Sequence, residues 1–267
     1  MSNNVVRCGS KIILLMVAMG CAGPVGAGPT AGTSSGASGQ CVHPTNTAMA
    51  EVTGIDVSSW QGAIQFARFP SHIKYVFVKA TQGATHVDRD YVSHIRNARA
   101  AGLSVGSYHY FMADTNAGDQ FQHFVKHALV QPGDLPPVVD IEVMGNQGNA
   151  ELANELKLFL SLLQNHYGGS PIIYAGRDFA NHHLNQFGTF PLWLAEYTTA
   201  ATPVLPTGWQ RWTFWQKSQT GKIDGIPGCV DLDSFNGDSV QFAGLLLKAP
   251  IPGGTSVGTS SAAASAH

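Results

Sequence analysis

The chain has 267 residues, of which 44% are hydrophobic and only 12% are charged, and its formal net charge is -2 at neutral pH. This length suits one large domain or two small ones, with enough apolar residues for an ordinary core. No cluster of lysine and arginine supplies the positive field that nucleic-acid binding needs, so we expect no nucleic-acid partner.

Residues 1–27 have the pattern of an export signal. Arg7 and Lys11 form a basic start, and the apolar run at 12–19 is too short to cross a bilayer as a mature helix. Two outcomes stay open: cleavage after the small residues that end at Ala27, or processing as a bacterial lipoprotein, with a lipid anchor on Cys21. In both cases we expect an exported protein that is periplasmic, secreted or lipid-anchored to the cell envelope, with no transmembrane helix.

Two segments rich in Gly, Ala, Ser, Thr and Pro flank the central part of the chain. Such compositions cannot bury enough apolar surface to offset the entropy of ordering. Residues 28–50 are therefore predicted to be a flexible linker and residues 249–267 a disordered tail. The folded domain is expected at 51–248.

Strand and helix patterns alternate within this domain. Strands are predicted at 52–58, 75–80, 104–111, 138–142 and 171–174, and apolar residues with helical spacing follow the second to the fifth of them. Three more strands, at 192–197, 213–216 and 230–232, are joined by loops rich in Pro and Gly. This order predicts an α/β fold, a modified TIM-like barrel of five β/α units followed by three β-strands.

The strand that ends at Glu142 carries two carboxylates. Because side chains alternate along a strand, Val139 and Ile141 face one way, whereas Val138, Asp140 and Glu142 face the other. In a parallel barrel the outer face packs on helices and the C-terminal rim carries the chemistry. Two acids that project together suit glycosidic bond cleavage, in which one protonates the leaving oxygen and one stabilises positive charge at the sugar. Ordinary solvated acids at a strand end are the alternative.

Further acids and aromatic residues are predicted at the same rim. Asp56 ends the first strand and Asp231 lies on the last one, and crowded carboxylates raise one another's proton affinity, which keeps a general acid protonated near neutral pH. Glu142, the longer side chain at the extreme end of its strand, is the candidate proton donor. Aromatic faces stack on sugar rings, although each could instead belong to the core; the candidates for substrate binding are Tyr108, Tyr110, Tyr174, Trp193, Tyr197 and Trp215.

Cysteine and histidine usage indicates a disulfide and no metal. Cys8 and Cys21 fall in the signal segment, so Cys41 and Cys229 remain for the mature domain. In an oxidising compartment these two are a candidate disulfide, and the first and eighth strands, which they precede, are neighbours in a closed barrel. Two free thiols are the alternative. The 11 histidines show no metal-ligand spacing, so we expect neither a metal nor another cofactor.

Eight motifs occur in a fixed order along the domain: GIDVS at 54–58 with QG at 61–62, FVKAT at 77–81, GSYHYF at 106–111, LPPVVDIE at 135–142, PIIY at 171–174, LWLAEY at 192–197, WQ at 215–216 and GIPGCVDLD at 225–233. Together they resemble glycoside hydrolase family 25, the Chalaropsis-type lysozymes or N-acetylmuramidases. The resemblance covers about residues 53–247.

This resemblance implies a modified β/α barrel that hydrolyses the β-1,4 bond between N-acetylmuramic acid and N-acetylglucosamine in peptidoglycan glycan strands. It assigns Glu142 as general acid and Asp140, Asp56 and Asp231 as supporting carboxylates, and we expect a monomer. A carboxylate nucleophile and assistance by the substrate's N-acetyl group both stay open; in the second route, by analogy with other Asp-x-Glu barrels, Asp140 orients that group.

The chain departs from the family pattern at two positions, since Gln82 stands where Glu is usual and Asp233 where Asn is common. Two other functions compete with the muramidase. One is a barrel that binds wall glycan without cutting it, which the four intact acids disfavour. The other is a related Asp-x-Glu glycosidase that acts on chitin and does not need the lactyl group of muramic acid.

Overall fold

The structure, a computed structural model, describes residues 51–248. The strands of this part are β1 Thr53–Val57, β2 Ile73–Gln82, β3 His86–Val87, β4 Ser104–Tyr110, β5 Val138–Asp140, β6 Ile172–Gly176, β7 Leu192–Ala195, β8 Phe214–Gly221 and β9 Val230–Phe235. All except β3, which forms a hairpin with β2, close into an eight-stranded barrel in chain order. Neighbouring barrel strands are parallel except where β9 pairs with β8 and β1. The predicted α/β barrel is confirmed.

Five helices accompany these strands: α1 Tyr91–Ala100, α2 Ala117–His127, α3 Asn149–Tyr167, α4 Arg177–His183 and α5 Ser239–Leu245. The first four follow β3, β4, β5 and β6. The first of the five predicted β/α units differs, because two 3₁₀ turns, Ser59–Gln61 and Phe66–Arg68, stand in place of an α-helix. Gly62, with a φ of 63°, ends the first turn, and Pro70 follows the second, so neither turn continues as an α-helix.

Alternation along β5 sorts side chains between two apolar layers, as the sequence predicts. Val139 and Ile141 point outward into the layer beneath the helices, where they share a core with Leu156 and Phe159 of α3. Val138 points inward into a separate core within the barrel. Each such fully buried aliphatic side chain contributes about 1.5–3 kcal/mol.

Large aromatic rings fill the barrel interior, and glycines on adjacent strands make room for them. The ring of Phe77 stacks on Trp193 with centroids 4.4 Å apart and meets Tyr75 edge-on at 5.6 Å. A Cβ at Gly54 would lie 2.4 Å from the Tyr75 ring, and one at Gly106 would lie 2.5 Å from the Phe77 ring. These two inward-facing positions therefore accept only glycine without displacement of a buried ring.

Helix α5, which the sequence did not predict, closes the lower end of the barrel. Because β9 runs antiparallel, it returns the chain to the end where the parallel strands begin. Phe242 of α5 then packs on Tyr75 at 5.4 Å and on Phe235 at 5.3 Å between ring centroids. Asp238 caps the helix by accepting from the Gln241 amide at 2.7 Å. The C-terminal ends of the parallel strands lie at the opposite end.

A network of polar side chains centred on His109 is buried in the outer layer. His109 Nε2 donates to Gln120 Oε1 at 3.1 Å, and its Nδ1 accepts from the Thr81 hydroxyl at 2.8 Å, which defines a neutral imidazole. Burial lowers the pKa of His109 to about 3. Gln120 also accepts from the Met112 amide at 2.9 Å, so this network fixes the loop that leaves β4.

We predict that Gly106→Ala destabilises the fold by about 1–3 kcal/mol, because the added methyl group overpacks the barrel interior against Phe77. Gly244→Ala is the control: a Cβ there has no neighbour within 4 Å, and alanine favours the helix. Denaturant unfolding measures both. Equal stability of the two variants would contradict the proposed packing.

We predict that His109→Gln reduces the loss of stability at acidic pH. Since the folded pKa of His109 lies below the unfolded value, only the unfolded chain binds this proton between about pH 6.5 and pH 3. The contribution is complete above the unfolded pKa and falls by about 1.4 kcal/mol per pH unit within that window. Unfolding free energies at pH 7 and pH 4.5 test this, with exposed His72→Gln as the control. A variant as acid-sensitive as the wild type would refute it.

Candidate active site

The central acids lie where β5 emerges from the barrel. Asp140 is in register with Tyr110 of β4 and Tyr174 of β6, and its carbonyl accepts from the Phe111 amide at 2.8 Å. The Asp140 side chain is buried, with 1% of its surface exposed, whereas Glu142 is partly exposed. The predicted strand ran to Glu142, whereas β5 ends at Asp140 and Glu142 lies two residues beyond it. The structure also shows the difference in their exposure.

The second pair of acids comes from the antiparallel seam of the barrel. Asp56 and Asp231 are direct cross-strand partners on β1 and β9. Side chains at such paired positions lie on one face with their Cβ atoms about 4.5–5.5 Å apart, and like charges there repel. The structure thus brings together two acids that are 175 positions apart in the sequence, as predicted. Their electrostatic repulsion at this separation requires a compensating hydrogen-bond donor.

Gln216 on β8 supplies that compensation. Its Nε2 donates to Asp56 Oδ2 at 2.6 Å and to Asp231 Oδ2 at 3.3 Å. Its Oε1 accepts from the hydroxyls of Tyr174 at 2.9 Å and Tyr197 at 2.7 Å. Both amide protons and both oxygen lone pairs are used, which fixes the orientation of the amide. The fully buried Gln216 therefore joins two acids and two tyrosines.

Gln216 was not among the site residues predicted from the sequence. It belongs to one of the motifs that resemble family 25, and it lies two residues after Phe214, so both face the barrel interior. A polar amide two residues after the apolar Phe214, on the same inward face, was the signal that could have identified it, because buried polar groups require partners.

Three of the predicted aromatic residues form the interior wall below the acids. Tyr108, Tyr174 and Trp193 are buried, and the Tyr174 ring meets Trp193 edge-on at 4.6 Å. The Trp193 indole donates to Asp233 Oδ1 at 2.9 Å. These rings therefore give the site a rigid apolar base, and the Trp193 indole fixes the carboxylate of Asp233.

The other three aromatic residues lie nearer the surface. Tyr110 is partly exposed, and Tyr197 is 39% exposed just beyond β7. Trp215 is buried on the outer side of β8, where its indole donates to the Glu196 carbonyl at 2.7 Å. Trp215 thus supports the loop that presents Tyr197.

The two departures from the family pattern have defined surroundings. Gln82 Oε1 accepts from Lys79 Nζ at 2.8 Å, and this ammonium lies 5.0 Å from the centre of the Tyr110 ring. Asp233 is fully buried inside the barrel on the same strand face as Asp231. Burial raises the pKa of Tyr75 well above its usual value, and the neighbouring carboxylates of Asp233 and Asp56 add to this shift.

Other sequence predictions concern metals, membranes and the disulfide. Among residues 51–248, no group of three or more His, Cys, Asp or Glu side chains is arranged to hold a metal ion. Within the same residues, no helix is long and apolar enough to span a membrane. Cys229 precedes β9, but Cys41, Cys21 and the predicted signal, linker and tail lie outside the described residues, and the Cys41–Cys229 disulfide stays a prediction.

Four acids and several tyrosines at the C-terminal end of an α/β barrel define a site of the glycoside hydrolase class. The model of the glycosyl hydrolases family 25 matches residues 55–226, and the chain belongs to this family. The predictions of the family and of a glycoside hydrolase are therefore confirmed.

Individual relatives agree with this assignment. YegX of Escherichia coli K12 is 34% identical over 193 residues, 70% of each chain. Lysozyme M1 of Streptomyces globisporus is 28% identical over 229 residues, 80% of this chain and 77% of that protein. The crystal structure of a bacterial lysozyme from Streptomyces coelicolor is similar with a TM-score of 0.69 at 28% identity, covering 73% of this chain and 96% of that one.

We predict that Gln216→Met lowers both stability and activity. The substitution keeps the volume but removes the donor between Asp56 and Asp231, and each lost hydrogen bond to a charged group costs about 1.5–3 kcal/mol. Activity on cell walls should fall about tenfold or more, with a shifted pH–rate profile. The control is Gln164→Met on the exposed face of α3. A Gln216 variant that matches this control in both measurements would contradict the bridging role.

Proposed function

We propose that this chain is an exported muramidase that hydrolyses the β-1,4 bond between N-acetylmuramic acid and N-acetylglucosamine in peptidoglycan. Membership of family 25 and the likeness to lysozymes support the substrate class. The observation that carries the proposal is the position of Asp140 at the end of β5 and of Glu142 two residues beyond it, at the same end of the barrel as the Asp56–Asp231 pair joined by Gln216.

In the proposed mechanism Glu142 is the general acid. It lies beyond the end of β5 and is partly exposed, so it can deliver a proton to the glycosidic oxygen and recover one from water. As the bond breaks, the leaving oxygen gains the Glu142 proton and the sugar gains positive charge, which Asp140 and the Asp56–Asp231 pair stabilise electrostatically.

The group that attacks the anomeric carbon defines two routes. In one, a carboxylate forms a covalent bond to the sugar. In the other, the carbonyl oxygen of the substrate's N-acetyl group attacks, and Asp140 orients the acetamido group and stabilises its charge. The rigid position of Asp140, held between β4 and β6, suits the orienting role.

The aromatic residues divide the binding of glycan between contact and support. Tyr110 and Tyr197 are the two of these rings with exposed surface, and in this proposal they contact the sugar directly. The buried rings of Tyr108, Tyr174, Trp193 and Trp215 shape the wall of the site and limit its movement.

Export follows from the location of the substrate, since peptidoglycan lies outside the cytoplasmic membrane. The signal pattern of residues 1–27 supports this location, with either a free mature protein or a lipid anchor at Cys21. The protein acts as a monomer without a cofactor, and a Cys41–Cys229 disulfide ties the linker to the barrel in an oxidising compartment.

We expect the purified mature protein to release fragments with N-acetylmuramic acid at the reducing end. Mass spectrometry of soluble products from peptidoglycan reports both activity and the bond cut. Products ending in N-acetylglucosamine or in an anhydro sugar would reject the proposed bond specificity. Equal turnover of chitin would show that the lactyl group of muramic acid is not required.

We predict that Glu142→Gln lowers peptidoglycan turnover by about 10²–10⁴-fold, because the amide cannot transfer the proton. Asp140→Asn should be similarly severe. Asp56→Asn and Asp231→Asn should lose less and shift the pH–rate profile, because they act on the reacting groups through charge. Turnover against pH measures all four.

Thermal melts confirm that each variant folds, and Asp224→Asn on the exposed surface is a matched control for removal of a carboxylate. If Glu142→Gln keeps most of the wild-type rate while Asp56→Asn or Asp231→Asn abolishes it, the proton donor has been assigned to the wrong strand.

A further inference from the structure

Trp60 is a large apolar side chain that lies almost entirely in solvent. Its exposed fraction is 77%, whereas Trp193, Trp209 and Trp215 are buried and Trp212 is only partly exposed. A single exposed apolar side chain is common on protein surfaces, so the role of this indole depends on how its backbone is held and on what lies beside it.

The turn that carries Trp60 is held in place from several directions. Ser58 Oγ accepts from the Trp60 amide at 3.3 Å, and the Ser58 amide donates to Gln61 Oε1 at 2.8 Å. From the segment between β3 and α1, Asp88 Oδ2 accepts from the Ser59 amide at 3.0 Å, and Arg89 donates to the Ser59 carbonyl at 3.2 Å. The backbone beneath the indole is therefore fixed before any ligand arrives.

The position of this turn links it to the acids. Trp60 follows Asp56 by four residues, so their Cα atoms are at most about 14 Å apart. Both lie where β1 ends, at the same end of the barrel as Glu142. This separation is within the length of a glycan strand bound at the acids.

The surroundings of Trp60 favour a sugar over an apolar protein surface. Its neighbours in the turn are Ser58, Ser59 and Gln61, with Arg89 close by, so the indole is a single flat apolar face within a polar surface. A sugar ring matches this pattern, because it has an apolar C–H face and a rim of hydroxyls, whereas apolar protein contacts require a contiguous patch of several hundred Å².

We infer that Trp60 is a stacking platform for a sugar of the peptidoglycan strand outside the bond that is cut, so that it sets the preference for long glycan. This inference rests on the proposed muramidase activity. Trp60 does not touch the reacting atoms, and its contribution is confined to binding.

The first test compares glycan lengths. Trp60→Ala should raise KM for long glycan strands on the order of 3- to 10-fold with kcat unchanged, whereas kinetics on the shortest cleavable fragment should stay the same. Trp60→Phe should recover part of the loss. Val240→Ala is the matched control, because Val240 is 78% exposed on α5 at the opposite end of the barrel.

The second test reports binding directly. In the Glu142→Gln background, which leaves the glycan intact, long glycan should protect tryptophan fluorescence from acrylamide quenching, because Trp60 is the most exposed of the five tryptophans. The protection should disappear in Glu142→Gln/Trp60→Phe. If Trp60 is already shielded without glycan, another part of the chain covers it and the inference fails.

The outcomes separate this inference from the proposed function. If the wild-type protein does not cleave peptidoglycan, both the proposed muramidase activity and the stacking platform are rejected. If the wild-type protein cleaves peptidoglycan and Trp60→Ala has the same kcat and KM on long and short glycan, the stacking platform is rejected and the muramidase activity stands. A loss of kcat on the shortest fragment would place Trp60 in the catalytic machinery and would also overturn the platform.

Discussion

The site depends on one constraint, the direct pairing of Asp56 and Asp231 across the antiparallel seam. Two carboxylates at paired positions repel, and burial in the barrel would strengthen that repulsion. The Gln216 amide joins them by donating to both, and the hydroxyls of Tyr174 and Tyr197 hold its oxygen. The positions of two acids, two tyrosines and the four strands β1, β6, β8 and β9 are thereby linked, so a change in one member moves the others.

The pairing of Asp56 with Asp231 depends on the reversed direction of the last strand. A parallel eighth strand would need a crossover helix, whereas the antiparallel β9 follows β8 through a short loop. It starts at the catalytic end, where Asp231 faces Asp56, and finishes at the lower end, where Phe235 meets Phe242 of α5. The reversed direction of β9 therefore places Asp231 at the catalytic end of the barrel and leads the chain to α5 at the opposite end.

Much of this arrangement could be predicted from the sequence, because it depends on local alternation. The two faces of β5, the barrel order and the shared rim of Asp56, Asp140 and Glu142 follow from period-two patterns and from the rule that parallel strand ends share a rim. Asp231 reaches the same rim from the start of the antiparallel β9, which that rule does not predict. Helix α5 escaped prediction because only seven residues form it and its single buried side chain, Phe242, gives no periodicity. The role of Gln216 escaped because its partners come from strands that are distant in the sequence.

Burial was the least predictable property, and it decides how the aromatic and acidic residues divide their roles. The sequence pattern places Trp193 and Tyr197 on one predicted strand, yet Trp193 is buried inside the barrel and Tyr197 reaches the surface.

The same distinction separates the acids: Asp56 and Asp140 are buried, whereas Glu142 and Asp231 are partly exposed. A general acid must lose and regain a proton in every cycle, which requires contact with substrate and water. A buried carboxylate is better suited to a fixed electrostatic role, because its low-dielectric surroundings strengthen its field and the close packing around it prevents it from turning away. The division between Glu142 as donor and Asp140 as the oriented partner therefore follows from where β5 ends, since one residue lies within the strand and the other two positions beyond it.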